Sequence, residues 1–333
     1  DDWLNGGHGG DSYLVSGTAA GGWELFSGYD TYADSGSSGI DRIVANGAGP
    51  VDIGFADFSA AGGIEQIVNA TSNGSGGTAL VQLLGGWWNN QLDFSAVSLV
   101  GGNFIIDAAD GNDTVKGSVL ADTIKGGRGE DLLDGGQGGD SYWVSGLISG
   151  GWESFSGYDT YADTGSNGID RIVAIGTDDV DIGLADGNFL SSNGIEQLVN
   201  QTSKNVGGVA VTGLVRLLGS WANNVLDLRN VAIVGGNVRV EAGDGDDTID
   251  GSSSADLIRS GKGNDVLNGR GGADTYEVSG NQASNFEGFD SYADSGTGFG
   301  EIDTILVVSA TGSDAVDIGL RSFAASSGIE RID

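Results

Sequence analysis

The sequence predicts an all-β, elongated solenoid in which short parallel strands stack coil upon coil. Three observations predict it: a nine-residue repeat, a much longer repeat that contains it, and 63 glycines with one proline in 333 residues. Glycine disfavours helix interiors, where each one costs about 1 kcal/mol relative to alanine, and it suits closely spaced turns. Short apolar runs bounded by Gly, Asn and Ser are typical of short strands.

The nine-residue repeat occurs in three blocks. Four copies run without a break from 108 to 143 (AADGNDTVK, GSVLADTIK, GGRGEDLLD, GGQGGDSYW), and four more run from 242 to 277. A shortened block contains DDWLN (1–5) and GGHGGDSYL (6–14). Each complete copy has Asp at its sixth position and an apolar residue at its eighth. This regularity is the strongest signal in the sequence.

The longer repeat contains the nonapeptides and the segments between them. GGDSYLVSG (9–17) recurs as GGDSYWVSG (138–146), and the matching residues Asp11, Asp140 and Asp274 define the repeat length. This predicts the end of a preceding block at 1–5, a first module at 6–134, a second at 135–268 and a partial third at 269–333. Both termini fall inside a module, so we expect the chain to be a piece of a longer tandem array.

The nonapeptide divides into a six-residue turn and a three-residue strand whose apolar residue points inward. Two nonapeptides form one coil, so alternate turns lie on the same side, about 4.8 Å apart. A calcium ion between two such turns could take carboxylate and carbonyl oxygens as ligands. The intervening segments are expected to form coils of the same kind that are longer, and if coils average about 20 residues the chain stacks about 16 or 17 of them. Their strand-like runs are IDRIV (40–44), VDIGF (51–55), IEQIV (64–68), LVQLL (80–84) and LDFSAV (92–97).

This pattern resembles the RTX family, the calcium-binding repeats-in-toxin of secreted bacterial proteins, whose nonapeptide reads G-G-x-G-x-D-x-apolar-x. GGRGEDLLD and GGQGGDSYW fit it in full, whereas GSVLADTIK and GSSSADLIR (251–259) lose two glycines. The resemblance implies a right-handed parallel β-roll or β-solenoid with calcium held between its turns. The divergent turns are expected to bind more weakly or to act as one-sided ligands. The implied metal ligands are Asp2, Asp11, Asp113, Asp122, Asp131, Asp140, Asp247, Asp256, Asp265 and Asp274.

The chain is strongly acidic, with a net charge of −33. This charge disfavours binding to nucleic acid and to anionic membrane surfaces. The absence of Cys excludes disulfides and thiolate metal sites, and no apolar run is long enough to span a membrane. Because the carboxylates repel one another, we expect the chain to be largely disordered where calcium is scarce and to fold when calcium binds.

Other sequence features allow alternative interpretations. The only histidine, His8, occupies a variable turn position, and no nucleophile elbow or zinc motif accompanies it, so we expect no enzymatic activity. Asp30 and Asp34 in GYDTYADSG form either a second cation site or a polar loop. Burial between stacked coils or at a joint between modules is the favoured interpretation of the tryptophans, and a sugar-binding platform is the alternative. The tryptophans concerned are Trp23, Trp87, Trp88, Trp152 and Trp221.

Two functions are consistent with these observations. The favoured one is an extracellular, calcium-stabilised structural protein of a bacterium, secreted or at the cell surface, that forms part of a long fibre, adhesin or surface layer. The alternative is an RTX secretion and folding tail of an enzyme or toxin whose catalytic domain lies elsewhere. Expected partners are further modules of the same chain or identical subunits end to end, with cell-surface polysaccharide as a further candidate. No nucleic-acid partner is expected.

Overall fold

The computed structural model describes residues 1–18, 27–36, 38–146, 155–280, 286–296, 301–308, 315–324 and 327–333. In these ranges the chain is built almost entirely of strands, with three short 3-10 helices at Ala60–Gly62, Ala185–Gly187 and Ser191–Asn193. No helix in the described ranges is long and apolar enough to cross a membrane.

The described strands are short, and most have three to seven residues. In chain order they are β1 (Trp3–Leu4), β2 (Ser12–Val15), β3 (Tyr29–Tyr32), β4 (Arg42–Ala48), β5 (Val51–Phe55), β6 (Gln66–Ser72), β7 (Val81–Leu84), β8 (Gln91–Asp93), β9 (Ser98–Val100), β10 (Phe104–Asp107), β11 (Thr114–Lys116), β12 (Thr123–Lys125), β13 (Leu132–Asp134), β14 (Ser141–Val144), β15 (Tyr158–Tyr161), β16 (Arg171–Gly176), β17 (Val180–Leu184), β18 (Gln197–Thr202), β19 (Lys204–Val206), β20 (Val209–Val211), β21 (Val215–Leu218), β22 (Val225–Asp227), β23 (Ala232–Val234), β24 (Val238–Asp244), β25 (Thr248–Asp250), β26 (Leu257–Lys262), β27 (Val266–Asn268), β28 (Thr275–Val278), β29 (Asp290–Ala293), β30 (Asp303–Val307), β31 (Leu320–Ser322) and β32 (Ile329–Ile332).

The chain forms two compact units. The first contains Asp1–Val144 with Asp159–Arg171, and the second contains Ser145–Tyr158 with Ile172–Asp333. Among the described strands the hairpin β19–β20 is antiparallel, whereas the stacked strands of both units pair in parallel. The predicted all-β parallel fold is therefore confirmed. The module boundaries predicted from the repeats are not the boundaries of these units, and they stay a prediction.

The nonapeptide blocks wind as their spacing predicts. Val115 pairs with Leu133 on one sheet and Ile124 pairs with Tyr142 on another, so each coil advances by two nonapeptides. The three-residue strands β11, β12 and β13 coincide with the last three positions of their repeats. The eighth-position side chains of the two four-copy blocks are buried, as predicted, and they stack into a narrow apolar core.

The coils between the blocks are longer than those within the blocks, as the sequence predicts. Paired strands are 23 residues apart at Gln91 and Thr114 and 35 residues apart at Asp181 and Arg216. The additional residues form turns, 3-10 helices and the hairpin β19–β20, and β17 and β21 pair in unbroken register on either side of that hairpin. Because the cost of closing a loop rises only slowly with its length, these longer coils are tolerated.

The longer coils also add a third side to the core. In the first unit the strands form sheets β1-β3-β5-β7-β10-β12-β14, β2-β4-β6-β9 and β8-β11-β13-β15. The third sheet begins where Phe58 bridges Leu92, and the second sheet ends at β9. Phe58 fills the widened core, with its ring 4.8 Å from that of Phe55 and 5.0 Å from that of Phe94. In the second unit, a bridge between Phe189 and Leu226 occupies the matching place.

Glycine at the second position of a nonapeptide allows a backbone conformation and a close approach that other residues would disturb. Gly127 has a φ of 104°, in the left-handed region that favours glycine. A Cβ atom on Gly127 would also collide with the carbonyl oxygen of Ala109, one coil earlier. Gly74 lies in an exposed loop with a φ of 76°, and a Cβ there would meet no atom within 4 Å.

Alanine substitutions at these two glycines distinguish the cost of backbone strain from the cost of a collision between coils. We expect Gly74→Ala to cost about 1 kcal/mol in the free energy of unfolding, from positive φ alone. Gly127→Ala should cost about 3 kcal/mol or more, because the neighbouring coil must also move. Urea unfolding of both variants in saturating calcium measures the difference. Equal losses in the two variants would contradict close stacking at Gly127.

Candidate metal centre

A ladder of hydrogen bonds links the aspartates of successive turns. The backbone N–H of one nonapeptide Asp donates to Oδ1 of the Asp in the next coil on the same side. Asp131 and Asp140, for example, both accept a ladder bond and donate one, which fixes the orientation of the carboxylate. The four bonds within the blocks, 2.7 to 2.8 Å long, run from Asp113 to Asp131, from Asp122 to Asp140, from Asp247 to Asp265 and from Asp256 to Asp274.

The second carboxylate oxygen of most of these aspartates is buried and accepts no hydrogen bond. A buried polar atom without a partner costs about 1–3 kcal/mol, and more if it is charged. A bound cation would supply the missing partner. Among the described residues, this unpartnered Oδ2 atom occurs in Asp11, Asp113, Asp131, Asp140, Asp247, Asp265 and Asp274.

The first glycine of the repeat keeps open the space beside this oxygen. A Cβ atom on Gly126 would collide with Oδ2 of Asp131, and one on Gly135 would collide with Oδ2 of Asp140. Neither glycine has a positive φ, so the close approach of the carboxylate is what requires glycine there. Carboxylate and backbone carbonyl oxygens are the ligands that calcium prefers. The residues of these turns therefore fit a calcium ion.

Burial makes the charged form of these carboxylates costly. Desolvation raises the pKa of Asp113 to about 7, against the hydrogen bond from the Asn90 backbone, and the charges of Asp131 and Asp110 raise it further. Desolvation likewise raises the pKa of Asp131 to about 6. A divalent cation stabilises the ionised form and would lower these pKa values. Protons and calcium should therefore compete for the same oxygens.

The two divergent repeats hold their carboxylates in a different way. Ser118 donates to Oδ2 of Asp122 from its backbone N–H at 2.6 Å and from its hydroxyl at 2.9 Å. Ser252 donates from its backbone N–H to Oδ2 of Asp256 at 2.6 Å and from its hydroxyl to Oδ1 at 3.1 Å. These serines stand where the consensus has its second glycine. Their backbone N–H groups supply the Oδ2 partner that the other turns lack, and the hydroxyl of Ser118 adds a second one.

At one end, each ladder continues to an asparagine that was not among the predicted calcium ligands. Asn90 donates from its backbone N–H to Oδ1 of Asp113 at 2.6 Å, and Asn224 does the same to Asp247 at 2.7 Å. The signal was present in GGWWNNQLD (85–93) and GSWANNVLD (219–227), which keep the nonapeptide length and have Asn at the sixth position. A neutral amide there begins the ladder without adding a charge.

In the other direction the ladder passes to acidic residues of the longer coils. The backbone N–H of Asp11 donates to Asp41, that of Asp140 to Asp170 and that of Asp274 to Asp303. GSSGIDRIV (36–44) and GSNGIDRIV (165–173) keep the pattern G-x-x-G-x-D, which could have identified the first two. Asp41 and Asp303 in turn donate to the carboxylates of Glu65 and Glu330, so the ladder ends on a glutamate.

The structure assigns Asp30 and Asp34 to different surroundings. Asp30 is buried, and its Oδ1 accepts a hydrogen bond from the backbone N–H of Asp2. Asp34 lies beside Asp11 and Asp41 instead, with one carboxylate oxygen of each within 4.8 Å of the others. Asp2 itself is exposed at the beginning of the chain, and His8 is exposed in its turn.

The favoured interpretation of the tryptophans is wrong for the three that the structure describes. Trp221 is 91% exposed, Trp87 is 66% exposed and Trp88 is 37% exposed. They occupy the turns that contain Asn90 and Asn224, whose third and fourth positions face solvent. Trp88 is partly held by a hydrogen bond to the carbonyl of Ala56. Trp23 and Trp152 lie outside the described residues.

A family model of the RTX calcium-binding nonapeptide repeat matches the chain in four copies, over residues 107–142 and 235–276. No curated protein matches the sequence. The chain therefore contains RTX nonapeptide repeats, and these repeats bind calcium.

The contrast between Asp131 and Asp122 gives a direct test of the turns. Asp131→Asn removes a carboxylate whose Oδ2 has no protein partner, so the calcium concentration at the midpoint of folding should rise about tenfold or more. Asp122→Asn is the matched control: it removes the same charge from a carboxylate that Ser118 already satisfies, and the shift should be smaller. Calcium titration followed by far-UV circular dichroism measures both midpoints. An unchanged midpoint in Asp131→Asn would exclude that turn as a site.

The raised pKa values predict opposite effects of pH with and without calcium. In calcium-free buffer the raised values favour the folded state below about pH 4, and this stability is lost as the pH rises through about 6 to 7. The folded fraction in calcium-free buffer should therefore be higher at pH 5 than at pH 8. In saturating calcium the order should reverse, because protons then displace the ion at the lower pH. Far-UV circular dichroism under the four conditions measures the folded fraction, and equal fractions at the two pH values in calcium-free buffer would contradict the buried ladder.

Proposed function

We propose that this chain is part of an extracellular structural protein, a fibre, adhesin or surface layer of a bacterium, whose repeats are locked by calcium. The observation that carries the proposal is that the segments between the nonapeptide blocks are strands of the same sheets. In the first unit, β7 from the intervening segment pairs with β10, and β10 pairs with the nonapeptide strand β12. Nearly all the described chain is thus used to stack coils.

Repetition of the ladder supports the same function. The acidic ladder passes from a nonapeptide Asp into the following longer coil at the matching residues Asp11, Asp140 and Asp274. A chain that repeats one calcium-dependent unit gains mechanical continuity from each added module, since each coil contacts mainly its neighbours. Further modules of the same chain, or identical subunits end to end, are the proposed partners, and cell-surface polysaccharide is a candidate target.

The proposed calcium ligands are the ten nonapeptide aspartates predicted from the sequence. The best supported are those with an unpartnered Oδ2, such as Asp113 and Asp131. Asp122 and Asp256 are proposed as weaker ligands because serine hydroxyls already contact their carboxylates. Extracellular calcium modules bind at about 10⁻⁴ to 10⁻³ M, which would keep the chain unfolded in the cytosol and fold it after secretion.

We also propose that the chain has a structural role and is not an enzyme. His8 lies exposed in a turn. The buried acids of the ladder are held by backbone donors in the arrangement expected of calcium ligands, and this arrangement offers no separate acid and base for proton transfer.

Electron microscopy of the native protein isolated from its source tests the proposal. Images in millimolar calcium should show long uniform threads or a continuous layer that dissolve on chelation and do not re-form when magnesium replaces calcium. Compact particles with a globular head and a short tail would refute the structural role and support the secretion tail of an enzyme or toxin.

A further inference from the structure

Three aspartates from three separate segments meet where the second nonapeptide block passes into the longer coils. Asp140 belongs to the last repeat of that block, Asp163 to the motif GYDTYADTG (157–165) and Asp170 to GSNGIDRIV (165–173). Each contributes one carboxylate oxygen to a group whose atoms all lie within 4.8 Å of one another. All three are buried, with exposed fractions of 0%, 6% and 5%.

A buried carboxylate oxygen without a hydrogen-bond partner indicates that this cluster binds a cation. Oδ1 of Asp140 accepts the backbone N–H of Asp122 at 2.7 Å, whereas its Oδ2 is buried and accepts no hydrogen bond. The carboxylates of Asp163 and Asp170 lie beside it. Neutral donors such as water would satisfy the oxygen but would leave the repulsion among the carboxylates, whereas a cation would remove both costs.

The protein orients the other two carboxylates toward this cluster. The hydroxyl of Tyr142 donates to Oδ2 of Asp163 at 2.9 Å, and the backbone N–H of Gly165 donates to its Oδ1 at 2.7 Å. Asp170 accepts the backbone N–H of Asp140 at 2.7 Å. The Tyr142 hydroxyl is itself held by the backbone N–H of Gly135. Such fixed donors give a preorganised set of ligands.

The same construction occurs at the end of the first block. Asp11, Asp34 and Asp41 again bring one oxygen each within 4.8 Å of the others. Tyr13 donates to Oδ2 of Asp34 at 3.1 Å, Gly36 donates to Oδ1 at 2.7 Å, and Oδ2 of Asp11 is again buried without a partner. In the third module Tyr276 donates to the carbonyl of Ala293 instead, so this copy differs.

We propose that Asp140, Asp163 and Asp170 form a calcium site of their own, repeated as Asp11, Asp34 and Asp41, which attaches each longer coil to the nonapeptide block before it. Two of the three ligands lie outside the matched RTX repeats, and they come from segments 23 and 30 residues after the shared Asp. Three carboxylates match the hard oxygen ligands of calcium, and backbone carbonyls or water complete a shell of about six to eight. A magnesium ion, which demands near-ideal octahedral geometry, fits this irregular set less well.

The site extends the function proposed above, since it requires that the chain binds calcium, but it does not depend on assembly into a fibre. The ion would close the chain segment between Asp140 and Asp170. It would make the first long coil, rather than only the nonapeptides, dependent on calcium.

Counting bound calcium tests the site. Equilibrium dialysis of the 333-residue chain against millimolar calcium measures the ions bound per chain. Asp163→Asn should bind one ion fewer than the parent, and Asp34→Asn together with Asp163→Asn should bind two fewer. Neither substitution removes a nonapeptide aspartate. Glu130→Gln, an exposed acid in the same unit, is the charge-matched control and should keep the full count.

The outcomes separate this site from the general proposal. A parent chain that binds no calcium would refute both. A parent that binds calcium, with variants that bind the same number of ions, would overturn the three-aspartate site and leave the nonapeptide sites in place. If Asp163→Asn does not fold, Asp34→Asn tests the second copy alone, and an unchanged count there would overturn the site as well.

Discussion

The structure depends on one hydrogen bond, repeated from coil to coil, between an aspartate backbone N–H and the carboxylate of the next aspartate on the same side. This bond sets the register of the turns and directs one oxygen of most of these carboxylates into the protein. The other oxygen is then buried with it, and in most turns it has no protein partner. The bond that orders the turns therefore creates the need for a cation, and folding and calcium binding become a single process.

Differences of one residue between the turns change how strongly each turn depends on a bound cation. A glycine at the second position leaves the carboxylate unsatisfied, whereas Ser118 satisfies Asp122 from within its own turn. Asparagine at the sixth position, as at Asn90, keeps the hydrogen bond to the next coil and removes the charge. The same backbone arrangement thus accommodates turns that require a cation strongly, weakly or not at all. The net charge of −33 is distributed along the chain without a single large cluster.

The sequence was sufficient to predict the parts of the fold that follow from strict periodicity. The inward eighth residue, the three-residue strands and the stacking of alternate turns all follow from a repeat of constant length, and Val115 and Leu133 show each of them. The lengths of the other coils were not predictable, because parallel pairing constrains the strands and leaves the loops between them free. The third sheet was missed for the same reason: Phe58 forms only an isolated bridge, which has no periodic signal.

The candidate site was predictable in its nonapeptide part and only partly predictable beyond it. The degenerate turns that contain Asn90 and Asp41 keep the spacing of the repeat and part of its consensus, so a search for the strict consensus misses them, whereas a looser search could find them. The meeting of Asp140 with Asp163 and Asp170 depends on how a coil of 30 residues returns to the block, which spacing does not determine. Exposure of Trp221 follows from its turn position once that turn is recognised as a degenerate nonapeptide.

The most direct measurement of the central claim is a crystal structure of the chain grown in millimolar calcium, with anomalous diffraction used to locate the ions. If the buried oxygens bind calcium, anomalous peaks should lie about 2.3–2.6 Å from the unpartnered Oδ2 atoms of Asp113, Asp131 and Asp247. No peak is expected in the turn that contains Asn90, because that turn has no carboxylate. Ordered turns with water or a lysine side chain at those oxygens, and no anomalous signal, would contradict it.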